Sequence, residues 1–186
     1  MVEITLPEGY PHRGGHQAEI QDSLLDVYRL MNIYLAEEKL YGITHSSLVP
    51  LWFDEDWQYP WDDPLYKLAA EFQWREITRI LISSAATGRV LDDSYSRQLC
   101  KDAECGEFIA DLDNAEAVTK LHLRDAFNKI LHAEKIQSDF NQNDDGKFTF
   151  LMPIIHFYGT HGKRKWKAKL WVADYVRQYQ ICLARA

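Results

Sequence analysis

Length, composition and charge exclude several classes of protein at once. The chain has 186 residues, 46% of them hydrophobic and 26% charged, which fits one globular domain over residues 1–186 rather than a disordered, collagenous or coiled-coil chain. The apolar runs fall short of the roughly 20 residues that cross a bilayer, and the 3 cysteines cannot all pair, which favours reduced thiols. We therefore expect a cytoplasmic protein without a membrane segment.

The net charge narrows the choice of partners. A formal charge of -7 argues against a surface that binds nucleic acid all over, although a local basic patch can still do so. The sequence contains no Gly-rich phosphate loop, and its cysteines and histidines lack the spacing of a zinc site. We expect neither a metal nor a cofactor.

Helical periodicity dominates the first two thirds of the chain. Residues 1–15 hold several prolines and glycines and are expected to form a flexible arm. A helical core is predicted over residues 16–136. Its helices are predicted at His16 to about Lys39, at Pro64 to near Gly88, and at Leu123 to Ile136, with a loose connection over residues 89–117.

The pattern changes to that of β-structure after a predicted turn at Ser138–Lys147. Phe148–Tyr158 and Lys163–Val172 read as two strands joined by a four-residue turn, and Asp174–Arg185 reads as a closing helix. Pro153 cannot donate a ladder hydrogen bond, so its strand should be an edge strand or contain a bulge.

These elements together predict the fold class. We expect an α+β fold that is mainly a bundle of three to four helices, with residues 147–186 adding a C-terminal antiparallel β-hairpin and the closing helix.

Three polar residues recur at helical spacing in the third predicted helix. Arg124, Asn128 and His132 in LRDAFNKILHA are four residues apart and share one face. Arg can clamp a phosphate, Asn can orient it and His can transfer a proton near neutral pH, which together suit metal-independent cleavage of a phosphodiester. The alternative is structural: Asn128 and His132 bond to neighbouring backbone and hold the helix in place.

This helix resembles the Arg and His signature of the HEPN (higher eukaryotes and prokaryotes nucleotide-binding) helical domains. The resemblance covers about a dozen residues and implies an RNase of a defence or toxin–antitoxin system, with Arg124, Asn128 and His132 as its catalytic residues and a homodimer that completes the site. The same helix, with GKRKWKA downstream, also resembles segments of small uncharacterised bacterial proteins, which implies no activity.

The second candidate site is a basic row in the predicted hairpin. If these side chains bind nucleic acid, backbone phosphates are the natural targets. The alternative is a solvated face, or a charged row that protects an exposed sheet edge from aggregation. The row consists of Lys163, Arg164, Lys165, Lys167 and Lys169.

Two classes of function remain open from the sequence. One is a metal-independent RNase or RNA-binding protein, with the helix as the catalytic site and the basic hairpin as the RNA track. The other is a non-catalytic module whose acidic loops bind a protein partner.

Overall fold

The computed structural model describes residues 16–45, 64–142 and 149–185. These residues form four helices and five strands, so the predicted α+β class is confirmed. The helices are α1 (His16–His45), α2 (Pro64–Ser94), α3 (Leu123–Leu131) and α4 (Val172–Leu183). The strands are β1 (Glu104–Ile109), β2 (Val118–His122), β3 (Lys135–Gln142), β4 (Thr149–His161) and β5 (Arg164–Trp171).

All five strands form one antiparallel sheet in the order β2-β1-β5-β4-β3. The predicted hairpin is the β4-β5 pair, followed by the predicted closing helix as α4. The prediction of a mainly helical bundle is correct only in part, because β1, β2 and β3 were not predicted. The hairpin is therefore the middle of a larger sheet and not an addition to a bundle.

The third predicted helix ends early because the chain becomes a strand. The prediction of helix to Ile136 is wrong: α3 stops at Leu131, and Ile136 pairs with Phe157 of β4. The predicted turn at Ser138–Lys147 is also wrong over its first part, since β3 continues to Gln142. Its remaining residues, 143–147, lie outside the described part of the chain, as does the predicted arm at 1–15.

The first two helices run past their predicted ends at about Lys39 and near Gly88. Helix α1 continues to His45, and α2 passes through Gly88 to Ser94. Gly88 serves close packing instead: a Cβ at this position would overlap the aromatic ring of Phe127. The glycine lets α2 approach α3 at a distance that any larger residue would prevent.

Two backbone features of the hairpin follow from single residues. His161 pairs directly with Arg164, so the turn has two residues and the predicted four-residue turn is wrong; Gly162 supplies the positive φ of 63° that such a turn needs. Around Pro153, β4 advances four residues while β3 advances two. This bulge confirms the expectation for the proline.

The helices pack on one face of the sheet and enclose the core. Trp166, Ala168 and Leu170 of β5 point into it and are buried, as the alternation predicts. Phe127 of α3 makes edge-to-face contacts with Tyr175 and Tyr179 of α4. No helix in the described residues is long and apolar enough to span a membrane. In the part of the chain that the structure describes, the helices therefore cover one face of the sheet and leave the other open.

Candidate functional site

Arg124 is occupied by two carboxylates of α2. Its guanidinium donates to Asp92 and, at 2.7 Å, to Asp93. Asp92 is fully buried and also accepts from the backbone N–H of Cys100 at 3.1 Å. Arg124 thus neutralises a buried negative charge, and the same contact lowers the pKa of the Asp93 carboxyl.

The other two members of the predicted catalytic stripe lie farther along α3. Asn128 is half-buried, and its backbone carbonyl accepts from the N–H of His132 at 3.0 Å. His132 is exposed and follows the last helical residue. His132 comes eight positions after Arg124, which corresponds to about 12 Å along the helix axis. The structure does not gather the three side chains into one group.

The predicted basic row divides between a turn and a strand. Lys163 lies in the turn after Gly162, and the Nε of Arg164 is 3.7 Å from Asp111. The remaining lysines, Lys165, Lys167 and Lys169, lie on β5. Because β5 is the central strand of the sheet, the interpretation of these lysines as protection of a sheet edge is wrong.

The lysines of β5 point away from the core, onto a face that no described helix covers. Cross-strand pairing places them beside outward residues of the neighbouring strands. We call this surface the open face. It consists of Glu107, Ile109, Val118, Lys120, Lys135, Gln137, Asp139, Ile154, His156, Tyr158, Thr160, Lys165, Lys167, Lys169 and Trp171.

An aromatic ring lies among the cations of the open face. The ammonium of Lys167 is 5.6 Å from the centre of the Tyr158 ring, and that of Lys135 is 5.8 Å from it. Farther along β5, the Lys169 ammonium is 5.9 Å from the centre of the Trp171 ring. These distances are within the range of cation–π attraction, so cationic and aromatic groups alternate across the sheet.

A cleft of about 390 Å³ opens in this face. The Glu107 carboxylate and the Lys169 ammonium, 3.5 Å apart, lie on one side of it. Asp139 of β3 lies on the other side, beside the bulge around Pro153. Both signs of charge and two apolar side chains therefore line the cleft. Its lining residues are Glu107, Ile109, Val118, Asp139, His156, Lys167 and Lys169.

His156 is buried in the wall of this cleft, with 8% of its surface exposed. Its Nε2 is 2.9 Å from a carboxylate oxygen of Asp139. Since a carboxylate only accepts, Nε2 carries the proton, and in the neutral ring Nδ1 is left as an acceptor. No described protein group donates to Nδ1. The Asp139 contact thus leaves Nδ1 as the ring nitrogen that lacks a hydrogen-bond donor.

His156, Asp139 and Tyr158 are not among the site residues predicted from the sequence. Alternation in β4 could have found two of them, since Ile154, His156 and Tyr158 are two residues apart and must share a face. Asp139 carries no such signal, because its pairing with His156 depends on the register of a strand that was not predicted.

Known proteins and metal-binding geometry give no further guide to the site. No protein-family model matches the chain, and no curated protein or solved structure is significantly similar to it. In the described ranges 16–45, 64–142 and 149–185, no three His, Cys, Asp or Glu side chains form a group that could hold a metal ion.

Proposed function

We propose that the protein binds single-stranded RNA on the open face of its sheet. The observation that carries this proposal is the row of Lys165, Lys167 and Lys169 on the central strand, next to Tyr158, on a face that none of the described helices covers. Proteins that bind single strands combine a cationic groove, which follows the phosphates, with aromatic rings on which bases stack. Both parts are present here within two neighbouring strands.

The charge distribution supports phosphate contact. Within the described residues, Lys165 and Lys167 form no ion pair, whereas Lys169 has Glu107 at 3.5 Å. The chain's net charge of -7 repels a polyanion. Lysines without a carboxylate partner attract it locally. Lys165 and Lys167 can therefore bind phosphates without first losing a carboxylate partner.

Two acceptors among the lysines favour RNA over DNA. Asp139 and the Nδ1 of His156 can accept hydrogen bonds, and the ribose 2′-hydroxyl is a donor that deoxyribose lacks. Cleavage is a separate question from binding: the hypothesis of catalysis by Arg124, Asn128 and His132 needs the guanidinium that Asp92 and Asp93 now hold. Binding is the function that the geometry supports best.

The test is fluorescence anisotropy of a labelled single-stranded RNA as salt is raised. Replacing Lys165, Lys167 and Lys169 together with Gln should weaken binding and reduce the slope of log K against log salt by about 2, because each phosphate contact with a single strand contributes roughly 0.7. A control with the same change in charge replaces three exposed cations elsewhere, Lys67, Lys101 and Arg185.

The aromatic part is tested separately at Tyr158. Tyr158→Leu should weaken binding by about 1 to 3 kcal/mol, the contribution of one stacked base, and Tyr158→Phe should retain it. Equal loss in the triple variant and its control would show general electrostatics and contradict a local site. No binding by the parent protein would instead favour a protein partner, as the sequence left open.

A further inference from the structure

A phosphate is less favourable inside the cleft than at Lys165, the member of the lysine row that lies outside the cleft. Lys167 and Lys169 would attract an anion, but the carboxylates of Glu107 and Asp139 line the same space and would repel it. A neutral group that carries both hydrogen-bond donors and acceptors can pair with the carboxylates and with the ammonium groups at the same time. Nucleobases are such groups, and about 390 Å³ lies within the roughly 300 to 1,000 Å³ of small-molecule sites.

Glu107 and Lys169 set which base fits. The carboxylate offers acceptors only, and the ammonium 3.5 Å away offers donors only. Guanine presents two adjacent donors, N1–H and the N2 amine, beside the acceptor O6. Uracil has one such donor between two acceptors, and adenine and cytosine each have a ring acceptor next to their amine. Guanine is therefore the complement of this pair.

We propose that the cleft binds one guanine base, with Glu107 accepting from N1–H and N2–H and Lys169 donating to O6. This inference rests on the proposed RNA binding and names the base that the site selects. Glu107 and Lys169 are neighbours in the β1-β5 register, so the backbone holds the two reading groups side by side. The apolar side chains Ile109 and Val118 line the same cleft and can cover the face of the base.

His156 provides an independent sign that the cleft is built for a ligand. His156 as a whole is 8% exposed, its Nε2 is held by Asp139, and its Nδ1 has no donor among the described residues. A buried acceptor without a donor is unfavourable. In the neutral ring, a hydroxyl or amine of the bound nucleotide would supply this donor once the wall of the cleft moves enough to admit it to the buried Nδ1.

The experiment compares four labelled RNA octamers by anisotropy: oligouridine, and the same strand with one internal guanosine, inosine or adenosine. The guanosine strand should bind about tenfold more tightly than oligouridine, in line with a good bidentate base contact. Inosine, which lacks the N2 amine, should be intermediate, and adenosine should give no gain.

Glu107→Gln should abolish the preference for guanosine, so that the guanosine and oligouridine strands bind this variant equally; the ratio of the two affinities is the readout. The matched control is Glu104→Gln on the same strand, whose carboxylate contacts Lys120 at 2.6 Å outside the cleft. Melting curves by circular dichroism show that both variants fold. A guanosine preference that survives in Glu107→Gln overturns the assignment.

The remaining outcomes separate this inference from the proposed function. Equal binding of all four octamers means that the face binds RNA but the cleft does not select guanine. If no octamer binds, guanosine alone is titrated and followed by its own NMR signals. Broadening that requires Glu107 then supports the cleft and overturns RNA binding, and no broadening overturns both.

Discussion

Arg124 and Asp92 form an ion pair in which the carboxylate is wholly buried and the guanidinium is 17% exposed. The pair ties the first turn of α3 to the last turns of α2. Removing the arginine would leave a buried charge without its partner, which typically destabilises a fold by 3 to 5 kcal/mol.

We expect Arg124→Met to lower the free energy of unfolding by about 3 kcal/mol, measured by urea denaturation. His132→Ala, at an exposed position on the same helix, should change it by less than about 0.5 kcal/mol. An Arg124 variant that stays as stable as the parent, and has lost an RNA-cleaving activity of the parent, would support the catalytic interpretation instead.

Gly88→Ala should destabilise the protein, although alanine is the better helix former. The added methyl group overlaps the ring of Phe127, and overpacking of a tight core costs about 1 to 3 kcal/mol. Thermal melts of Gly88→Ala, Phe127→Leu and the double variant provide the measurement. The double variant should be more stable than the sum of the single effects predicts, and simple additivity would contradict the contact.

Stability should fall at high pH because of Tyr34. Burial raises the pKa of this phenol from 10.0 to about 12, against the opposing effect of its hydrogen bond with Ser138. Below pH 10 both folded and unfolded chains keep the proton. Between pH 10 and 12 only the unfolded chain loses it, so folding loses up to about 3 kcal/mol as pH rises through this range.

Urea denaturation between pH 8 and 11.5 checks this against Tyr34→Phe, which cannot ionise at that position. Tyr175 and Tyr179, whose pKa values are also raised by burial, remain in both proteins and cancel in the comparison. The variant should lose less stability with pH than the parent, and parallel curves would rule out the contribution of Tyr34.

The thiols should be unreactive until the protein unfolds. Cys100, Cys105 and Cys182 are all buried, and burial raises the pKa of the Cys105 thiol, which keeps it from forming the reactive thiolate. A thiol reagent should modify almost none of the 3 cysteines in the native protein and all of them in urea. Rapid modification under native conditions would show that the helical layer opens readily.

The sequence predicts β5 because its lysines occupy every second position and alternate with apolar residues that are buried. Alternation does not predict β1, because a bulge next to Gly106 interrupts the pattern. It fails for β3 as well, because Ser138 faces inward to contact the Tyr34 hydroxyl and no apolar alternation results. Polar inward positions and bulges are satisfied by tertiary partners, which local patterns do not contain.

The same limit applies to the candidate site. Lys165, Lys167 and Lys169 could be predicted to share a face, but their position in the middle of a sheet depends on pairing with β1, some sixty residues earlier in the chain. The Asp139–His156 contact depends in addition on the register shift around Pro153. Such long-range pairings determine which polar residues meet.

The strand order also sets when the protein can fold during synthesis. Among the described strands, β5 comes after the other four in sequence, yet within the sheet it joins the β1-β2 pair to the β3-β4 pair. Until residue 171 has left the ribosome, these are two separate hairpins with exposed apolar faces, and isolated hairpins are marginally stable in water. A chain that stops before Arg164 should therefore aggregate. Both β5 and α4 must be synthesised before the five-stranded sheet can form.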